Sequence, residues 1–314
     1  MPKQKGFFSD FFGFIAYFFG IGSGGSNNTN PTPVPEDSND NEEDVMNDNV
    51  TKKALCIGIN NYKGTSNDLK GCVNDAKEWS ALLESKFKFE TVLLLDSKAT
   101  IFNVKRQWAK LIKEAKSGDV IVLTYSGHGT SVADKNNDEP DGRDEAICLY
   151  DGLLIDDTIR SIFSQKKEGV KLTFISDSCH SGTVTRAFMS ALYGEEAENI
   201  YTKARYLPPE DDVEAASLNS FPVSTKSMFS PTEDDMNHIL ISGCLPTEYS
   251  YDARIGGKYR GAMSYYAINV LKNNPTISYA NFYKQLKKKL PSQSYPQTPQ
   301  LEGKAGEKES LMFS

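Results

Sequence analysis

Short apolar runs alternate with stretches of helical periodicity along most of this 314-residue chain. Lys53–Ile59 is a nearly continuous apolar run, which is typical of a strand buried on both faces, and Leu69–Phe87 then places apolar residues at helical spacing. The same alternation predicts four further strands at Thr91–Leu95, Asp119–Tyr125, Lys171–Ser176 and Asn237–Cys244, and four further helices at Ile101–Lys116, Asp156–Gln165, Ala262–Lys272 and Tyr279–Leu290. Strands separated by helices predict an α/β fold, with a mostly parallel sheet covered by helices on both faces.

Composition sets the first 50 residues apart from the rest of the chain. Phe7–Ile21 is apolar but shorter than the about 20 residues that a spanning helix needs, and Ser23–Asn49 is a polar, acidic linker without Lys or Arg. The apolar segment indicates a signal peptide, an interfacial membrane anchor or a disordered tail. The sequence therefore leaves the localisation open between cytoplasmic, membrane-associated and exported. Residues 51–314 are predicted to form one domain, in which 51–186 and 236–314 are the two folded parts and 187–235 is a poorly structured connection.

Charge and cysteine content exclude some classes of protein. A net charge of -7 argues against nucleic acid as the main partner, because a surface that binds a duplex normally carries a basic excess. The five cysteines are odd in number and form no C-x-x-C pair, so a disulfide framework is not expected. Cys56 and Cys244 lie in apolar runs and are expected to be small buried side chains. We expect a monomer without an organic cofactor.

One histidine and one cysteine follow two of the predicted parallel strands. His128 lies between two glycines after the Asp119–Tyr125 strand, and Cys179 follows the Lys171–Ser176 strand. In parallel sheets functional residues gather beyond the carboxyl ends of strands, and a catalytic thiol needs a base close by. His180 is the competing base, but adjacent residues of an extended segment point in opposite directions, so it is expected to face away. His238 opens a strand, and no catalytic part is expected for it.

Several short motifs lie around and beside the two candidate residues. They are S-G-H-G and D-S-C-H-S-G around these residues, G-C-V-N-D-A before them, and S-G-C, Y-D-A and G-A-M-S-Y after them. Together these motifs resemble those of the metacaspase family, caspase-like cysteine peptidases. The resemblance covers roughly residues 52–301, and the spacing of His128 and Cys179 agrees with the roughly 50 residues found in caspases, although the caspase motif Q-A-C-x-G is absent. It implies a caspase-like three-layer sandwich and an endopeptidase that cleaves polypeptides after Arg or Lys, with Cys179 as nucleophile and His128 as base.

The resemblance also implies a substrate pocket lined by Asp177, with Asp75 and Ser126 beside it. Carboxylates in a partly desolvated slot select a guanidinium or an ammonium group and repel an aspartate. Asp75 has the alternative role of capping or solvating its own helix. The developing oxyanion needs donors about 3 Å away, for which the backbone amides of Gly129 and Cys179 are the candidates.

Calcium is the only cofactor that the resemblance implies. Asp144, Asp156 and Asp157 match three calcium-binding aspartates of the family, and carboxylates are ligands that calcium prefers. Arg186 stands where a further carboxylate is expected, which argues against a complete site. Asp156 and Asp157 fit equally well as the acidic first turn of the following helix.

Two alternatives to this hypothesis stay open. The first alternative is a non-catalytic scaffold of the same fold, with a possible membrane contact through Phe7–Ile21. The second is a related cysteine peptidase with another residue preference. In the peptidase hypothesis, basic residues of the long connection are possible sites of self-cleavage, namely Arg186, Lys203, Arg205 and Lys226.

Overall fold

The computed structural model describes residues 50–62, 65–133, 143–179, 202–208 and 233–314. Numbered in chain order within these ranges, the strands are β1 Lys52–Gly58, β2 Glu90–Leu95, β3 Val120–Ser126, β4 Gly129–Ala133, β5 Arg143–Leu149, β6 Gly152–Ile155, β7 Lys171–Asp177, β8 Thr202–Ala204, β9 Ile239–Ser242, β10 Tyr251–Ile255, β11 Lys258–Gly261 and β12 Gln300–Glu302. The helices are α1 Cys72–Phe87, α2 Ile101–Glu114, α3 Asp156–Phe163, α4 Ala262–Asn273, α5 Tyr279–Leu286 and α6 Ala305–Lys308.

A six-stranded sheet in the order β12-β9-β7-β3-β1-β2 forms the middle layer. Its strands are parallel except β12, which runs antiparallel to β9. In β1, Ala54 and Cys56 pack into the core on one face, whereas Leu55 and Ile57 pack into the core on the other. Because successive side chains of a strand point to opposite faces, this continuous apolar run requires a helix layer on each side.

The two helix layers complete the sandwich. Helices α1, α4 and α5 cover the first face, and helices α2 and α3 cover the second. The predicted α/β class with a mostly parallel sheet is confirmed, and all five predicted strands and all five predicted helices are present within a few residues of their expected bounds.

Shorter antiparallel elements were not predicted. β4, β5 and β6 form one three-stranded sheet, and β11, β10 and β8 form another. The interpretation of residues 187–235 as poorly structured is wrong for Thr202–Ala204, because this strand pairs with β10. Three residues are too few to show an alternating apolar pattern, so only the pairing with β10 identifies this strand. Residues 180–201 and 209–232 lie outside the described residues, as do Phe7–Ile21 and the acidic linker.

The described ranges contain no helix with both the length and the apolar character that crossing a bilayer requires.

Replacing Trp108 by alanine is expected to destabilise the protein by about 3–5 kcal/mol, because it removes a large side chain from a packed aromatic cluster. Trp108 is fully buried in α2, and its ring centroid lies 5.6 Å from those of Phe163 and Phe174. Denaturant unfolding measures the change. Phe102→Ala is the control on the same helix, since Phe102 is 63% exposed, and an equal loss in both variants would contradict the assigned core.

Candidate active site

The structure brings the His128 and Cys179 segments together on a single carbonyl oxygen. β3 and β7 are neighbours in the sheet and pair Ser126 with Asp177, so the residues that follow both strands emerge at the same edge. The backbone N–H of Gly129 and that of Cys179 both donate to the carbonyl oxygen of Arg205, at 3.0 and 3.2 Å. Two amides converging on one oxygen is the arrangement required to bind the oxyanion of an acyl-transfer reaction.

The His128 ring is held through one nitrogen. Nε2 lies 2.7 Å from the carbonyl oxygen of Asn67, and because a carbonyl only accepts, Nε2 must carry the proton. Nδ1 is buried and has no hydrogen-bond partner among the described residues. Burial lowers the pKa of His128 to about 3, although the bond to Asn67 opposes this shift, so the imidazole is neutral near pH 7. With the proton on Nε2, the buried Nδ1 carries none and can accept one.

Cys179 is fully buried in this structure. Its sulfur accepts a hydrogen bond from the backbone N–H of Ser250, and the thiol lies 3.5 Å from the Ser250 carbonyl oxygen. Cys244 is buried as expected, but it lies beside the candidate nucleophile. A hydrogen bond with Cys179 and burial raise the pKa of the Cys244 thiol.

The other two histidines have no described contact with this site. His238 packs on Phe163, with 4.9 Å between the ring centroids, and burial lowers its pKa to about 4. His180 lies outside the described residues, so its orientation stays a prediction.

Arg205 fills an acidic pocket with a guanidinium that is completely buried. Nη2 lies 2.6 Å from Oδ2 of Asp75 and 3.1 Å from Oδ1 of Asp252, and Nη1 lies 3.2 Å from Oδ2 of Asp177. Nη1 also donates to the Asp177 carbonyl oxygen at 3.1 Å. Asp75 and Asp177 were predicted to line this pocket, and Ser126 is buried next to Asp177 in the strand register.

Asp252 is the pocket residue that the sequence analysis did not assign. It belongs to the quoted Y-D-A motif, so the signal was present, but its role depends on β10 pairing with β8. Arg205 itself was predicted only as one of four possible cleavage points. Nothing in the sequence ties it to three carboxylates up to 130 residues away.

Backbone amides hold all three carboxylates in place. The Gly261 N–H donates to Asp75 at 2.9 Å, the Ser264 N–H to Asp177 at 2.9 Å, and the Lys70 N–H to Asp252 at 2.7 Å. The Asp75 carboxylate contacts Gly261 and Arg205 rather than the backbone of α1, so these contacts are not those of a helix cap.

The electrostatics of the pocket favour a bound cation. Burial raises the pKa of Asp75, the Arg205 guanidinium lowers it, and the nearby Asp177 raises it again. Three carboxylates therefore compete for one positive charge in a desolvated space. A neutral side chain would leave them unpaired, and an aspartate would add to their repulsion.

Glycines make the room for this pocket. A Cβ at Gly261 would lie 2.2 Å from Oδ2 of Asp177, and one at Gly71 would lie 2.2 Å from Oδ1 of Asp252. A Cβ at Gly243 would lie 2.7 Å from Oγ of Ser250, which donates a hydrogen bond to Asp177. These glycines belong to the G-C-V-N-D-A, S-G-C and G-A-M-S-Y motifs. Each motif needs glycine at this position because a side chain would clash with atoms of the pocket.

The three aspartates predicted to bind calcium share an electrostatic environment but do not form a ready-made site. Burial raises the pKa of Asp156 to about 7, Arg160 opposes the rise, and Asp157 and Asp144 add to it. Arg160 pairs with both Asp156, at 2.9 Å, and Asp157. No three His, Cys, Asp or Glu side chains of the described ranges are grouped to hold a metal ion. These contacts agree with acids in the first turn of α3.

Comparisons with known proteins decide the family. A family model described as metacaspase, peptidase C14 domain, matches residues 52–187. Metacaspase-1 of Debaryomyces hansenii is 33% identical over 292 residues, which cover 81% of this chain and 65% of that protein. Metacaspase-1 of Ajellomyces capsulatus is 33% identical over 292 residues, which cover 80% of this chain and 79% of that protein. The chain belongs to the metacaspase family.

Family membership confirms the resemblance drawn from the short motifs and places the chain among the cysteine-type peptidases. The chain spans slightly less than two thirds of the Debaryomyces hansenii relative. The crystal structure of caspase-1 from Spodoptera frugiperda superposes with a TM-score of 0.52 at 12% identity, covering 88% of this chain and 94% of that one. This likeness shows that the metacaspase chain and the caspase share a fold.

Replacing Arg205 by alanine is expected to speed the alkylation of Cys179 by iodoacetamide about tenfold or more, because the ion pairs with the three aspartates hold this segment against the backbone of the buried Cys179. Mass spectrometry of the labelled Cys179 peptide measures the rate. Arg254→Ala is the control, since Arg254 is an exposed arginine on β10. Equal labelling rates in both variants and the wild type would contradict the covering role of Arg205.

Proposed function

We propose that this metacaspase is an endopeptidase that cleaves polypeptides after Arg or Lys, with Cys179 as nucleophile and His128 as general base. One observation carries the proposal: the carbonyl oxygen of Arg205 accepts from the two amides beside these residues while its guanidinium fills the acidic pocket. The chain's own arginine thus takes the position of the substrate residue before the scissile bond.

The first chemical step uses the free nitrogen of the imidazole. Nδ1 of His128 takes the thiol proton, and the Cys179 sulfur attacks the carbonyl carbon of the bond that follows the basic residue. Negative charge develops on an oxygen at the position of the Arg205 carbonyl, where the Gly129 and Cys179 amides donate. The Asn67 carbonyl holds the imidazolium through Nε2 while it exists.

The second step releases the products. The imidazolium gives its proton to the leaving amine, and a thioester to Cys179 remains. Water, deprotonated by the same Nδ1, attacks the thioester and restores the thiol. Since burial disfavours the charged ring, His128 returns its proton readily.

Of the two candidates that the structure describes, the geometry favours Arg205–Tyr206 over Lys203–Ala204 as the site of self-cleavage. The Arg205 carbonyl lies against both oxyanion donors, whereas the Lys203 side chain lies outside the acidic pocket, against the carbonyls of Ser66 and Asp68. Arg186 and Lys226 lie outside the described residues. Mass spectrometry of the incubated chain locates the cut, and cleavage confined to the other three positions would disprove this assignment.

We propose calcium binding at Asp144, Asp156 and Asp157 as a separate property. The donor chemistry fits, because Oδ1 of Asp156 is buried without a hydrogen-bond partner among the described residues and borders a cavity of about 580 Å³. Arg160 now neutralises Asp156 and Asp157, so a calcium ion would have to displace it. The ion would supply positive charge to this acidic group.

Peptide hydrolysis tests the peptidase proposal. Fluorogenic peptides that end in Arg are expected to be cleaved about tenfold faster than those ending in Lys, because the planar guanidinium reaches all three carboxylates, and peptides ending in Asp are expected to resist. Cys179→Ala should abolish hydrolysis. Asp252→Asn should lower kcat/KM for Arg by about tenfold or more through the loss of one charged contact.

Two results would contradict the proposal. Cleavage after Asp would exclude the acidic pocket as the specificity site, and activity of the Cys179→Ala variant equal to wild type would exclude the nucleophile. Glu168→Gln, a change at an exposed carboxylate, is the control for unspecific charge effects and should not change kcat/KM.

Calorimetry tests the calcium proposal. Arg160→Ala is expected to tighten calcium binding because it removes the competing cation, and Asp156→Asn is expected to weaken it about tenfold because it removes one ligand charge. Glu168→Gln should bind as the wild type does. The same affinity in all four proteins, or no binding in any, would count against this site.

A further inference from the structure

Strand β8 and the residues that follow it lie in the site as an extended peptide does. Lys203 and Thr202 pair antiparallel with Asp252 and Ala253, and the Arg205 N–H donates to the Ser250 carbonyl at 2.9 Å. Beyond Arg205, the Leu207 N–H donates to the Gly129 carbonyl at 2.9 Å. Main-chain bonds on both sides of the presented bond are the mode in which a sheet edge recognises an extended peptide.

The side chain two positions before Arg205 also has a defined place. Alternate residues of an extended segment point the same way, so Lys203 lies on the same side as Arg205. Its Nζ donates to the carbonyl oxygens of Ser66 and Asp68, both at 2.9 Å. Carbonyl oxygens accept only, so this cradle fits an ammonium or guanidinium group.

The cradle is joined to the catalytic histidine through a single residue. Ser66, Asn67 and Asp68 are consecutive, and the carbonyls of the first and third contact Lys203 while the carbonyl of the second contacts Nε2 of His128. The turn is tied further by the Asp68 carboxylate, which accepts from the Tyr62 N–H at 2.9 Å. A cation held by the outer two carbonyls therefore fixes the carbonyl that sets the His128 ring.

We propose that the Ser66 and Asp68 carbonyls form a second subsite for a basic side chain two residues before the arginine of the cleaved bond, and that filling it also positions His128. This inference rests on the proposed peptidase function and narrows its substrates to the pattern Lys-x-Arg or Arg-x-Arg. The chain's own Lys203-Ala204-Arg205 segment is the template for this pattern. Ser66, Asn67 and Asp68 act as positioning residues through their main chain.

Three fluorogenic tetrapeptides test the subsite on the full-length protein. Thr-Lys-Ala-Arg carries the natural residues, Thr-norleucine-Ala-Arg keeps the aliphatic stem without the ammonium, and Thr-Ala-Lys-Arg keeps the charge at the wrong position. We expect kcat/KM for the first to exceed that of the other two by about tenfold, the size of one charge-assisted hydrogen bond that is partly open to water. We also expect part of the gain in kcat, because the turn holds His128.

The outcomes separate the subsite from the peptidase proposal. Equal kcat/KM for the three peptides, with hydrolysis abolished in Cys179→Ala, would overturn the subsite and leave the peptidase function standing. An equal gain from the lysine at either position would show a general preference for charge and would overturn the subsite as well. A gain confined to KM would overturn the link to His128. No hydrolysis of any arginine peptide would overturn both.

Discussion

Three carboxylates from separate parts of the chain surround one buried guanidinium, and the arrangement of the site follows from this charge balance. Asp75 comes from α1, Asp177 from the end of β7 and Asp252 from β10. Buried charges are costly unless they are paired, so three aspartates without a cation would destabilise each other and the fold around them. Arg205 supplies that cation and thereby fixes the segment of residues 202–208.

The pocket keeps its shape because the carboxylates are held by main-chain donors. Amides of Lys70, Gly261 and Ser264 fix their oxygens, and glycines at positions 71, 243 and 261 leave the space that a side chain would fill. A site built in this way would reorganise little if the arginine of a substrate replaced Arg205, as the proposed function requires.

The Arg205 segment occupies the contacts that the proposed catalysis would use. The two amides that donate to the Arg205 carbonyl are those that an oxyanion would need, and the turn that contacts His128 also contacts Lys203. A peptide that enters must replace each of these contacts in turn. Under the proposed function, the intact chain would therefore occupy the contacts that select its substrates.

Local patterns in the sequence determined the secondary structure and, through it, the edge of the sheet where function gathers. The apolar runs around β1, β3 and β7 are long enough to predict, and parallel strands place the residues after them together, so His128 and Cys179 could be named in advance. The carboxylates Asp75 and Asp177 were named only through the resemblance to metacaspases. The short strands β8 and β10 carry no such periodicity. They exist because they pair with each other, and so the sequence predicted a loose connection where the structure has a strand.

Only the tertiary structure decided which charges meet. Arg205 contacts Asp75 across 130 residues of sequence and Asp252 across 47, and no local pattern encodes contacts of that range. Asn67 contacts His128 through its backbone carbonyl, which every residue type has, so the sequence could not predict this contact. The sequence by itself determined the sheet, its functional edge and the candidate chemistry, because these depend on local periodicity. Folding determined the third carboxylate, the occupant of the pocket and the nitrogen of His128 that is free to accept a proton, because these depend on which distant segments are buried together.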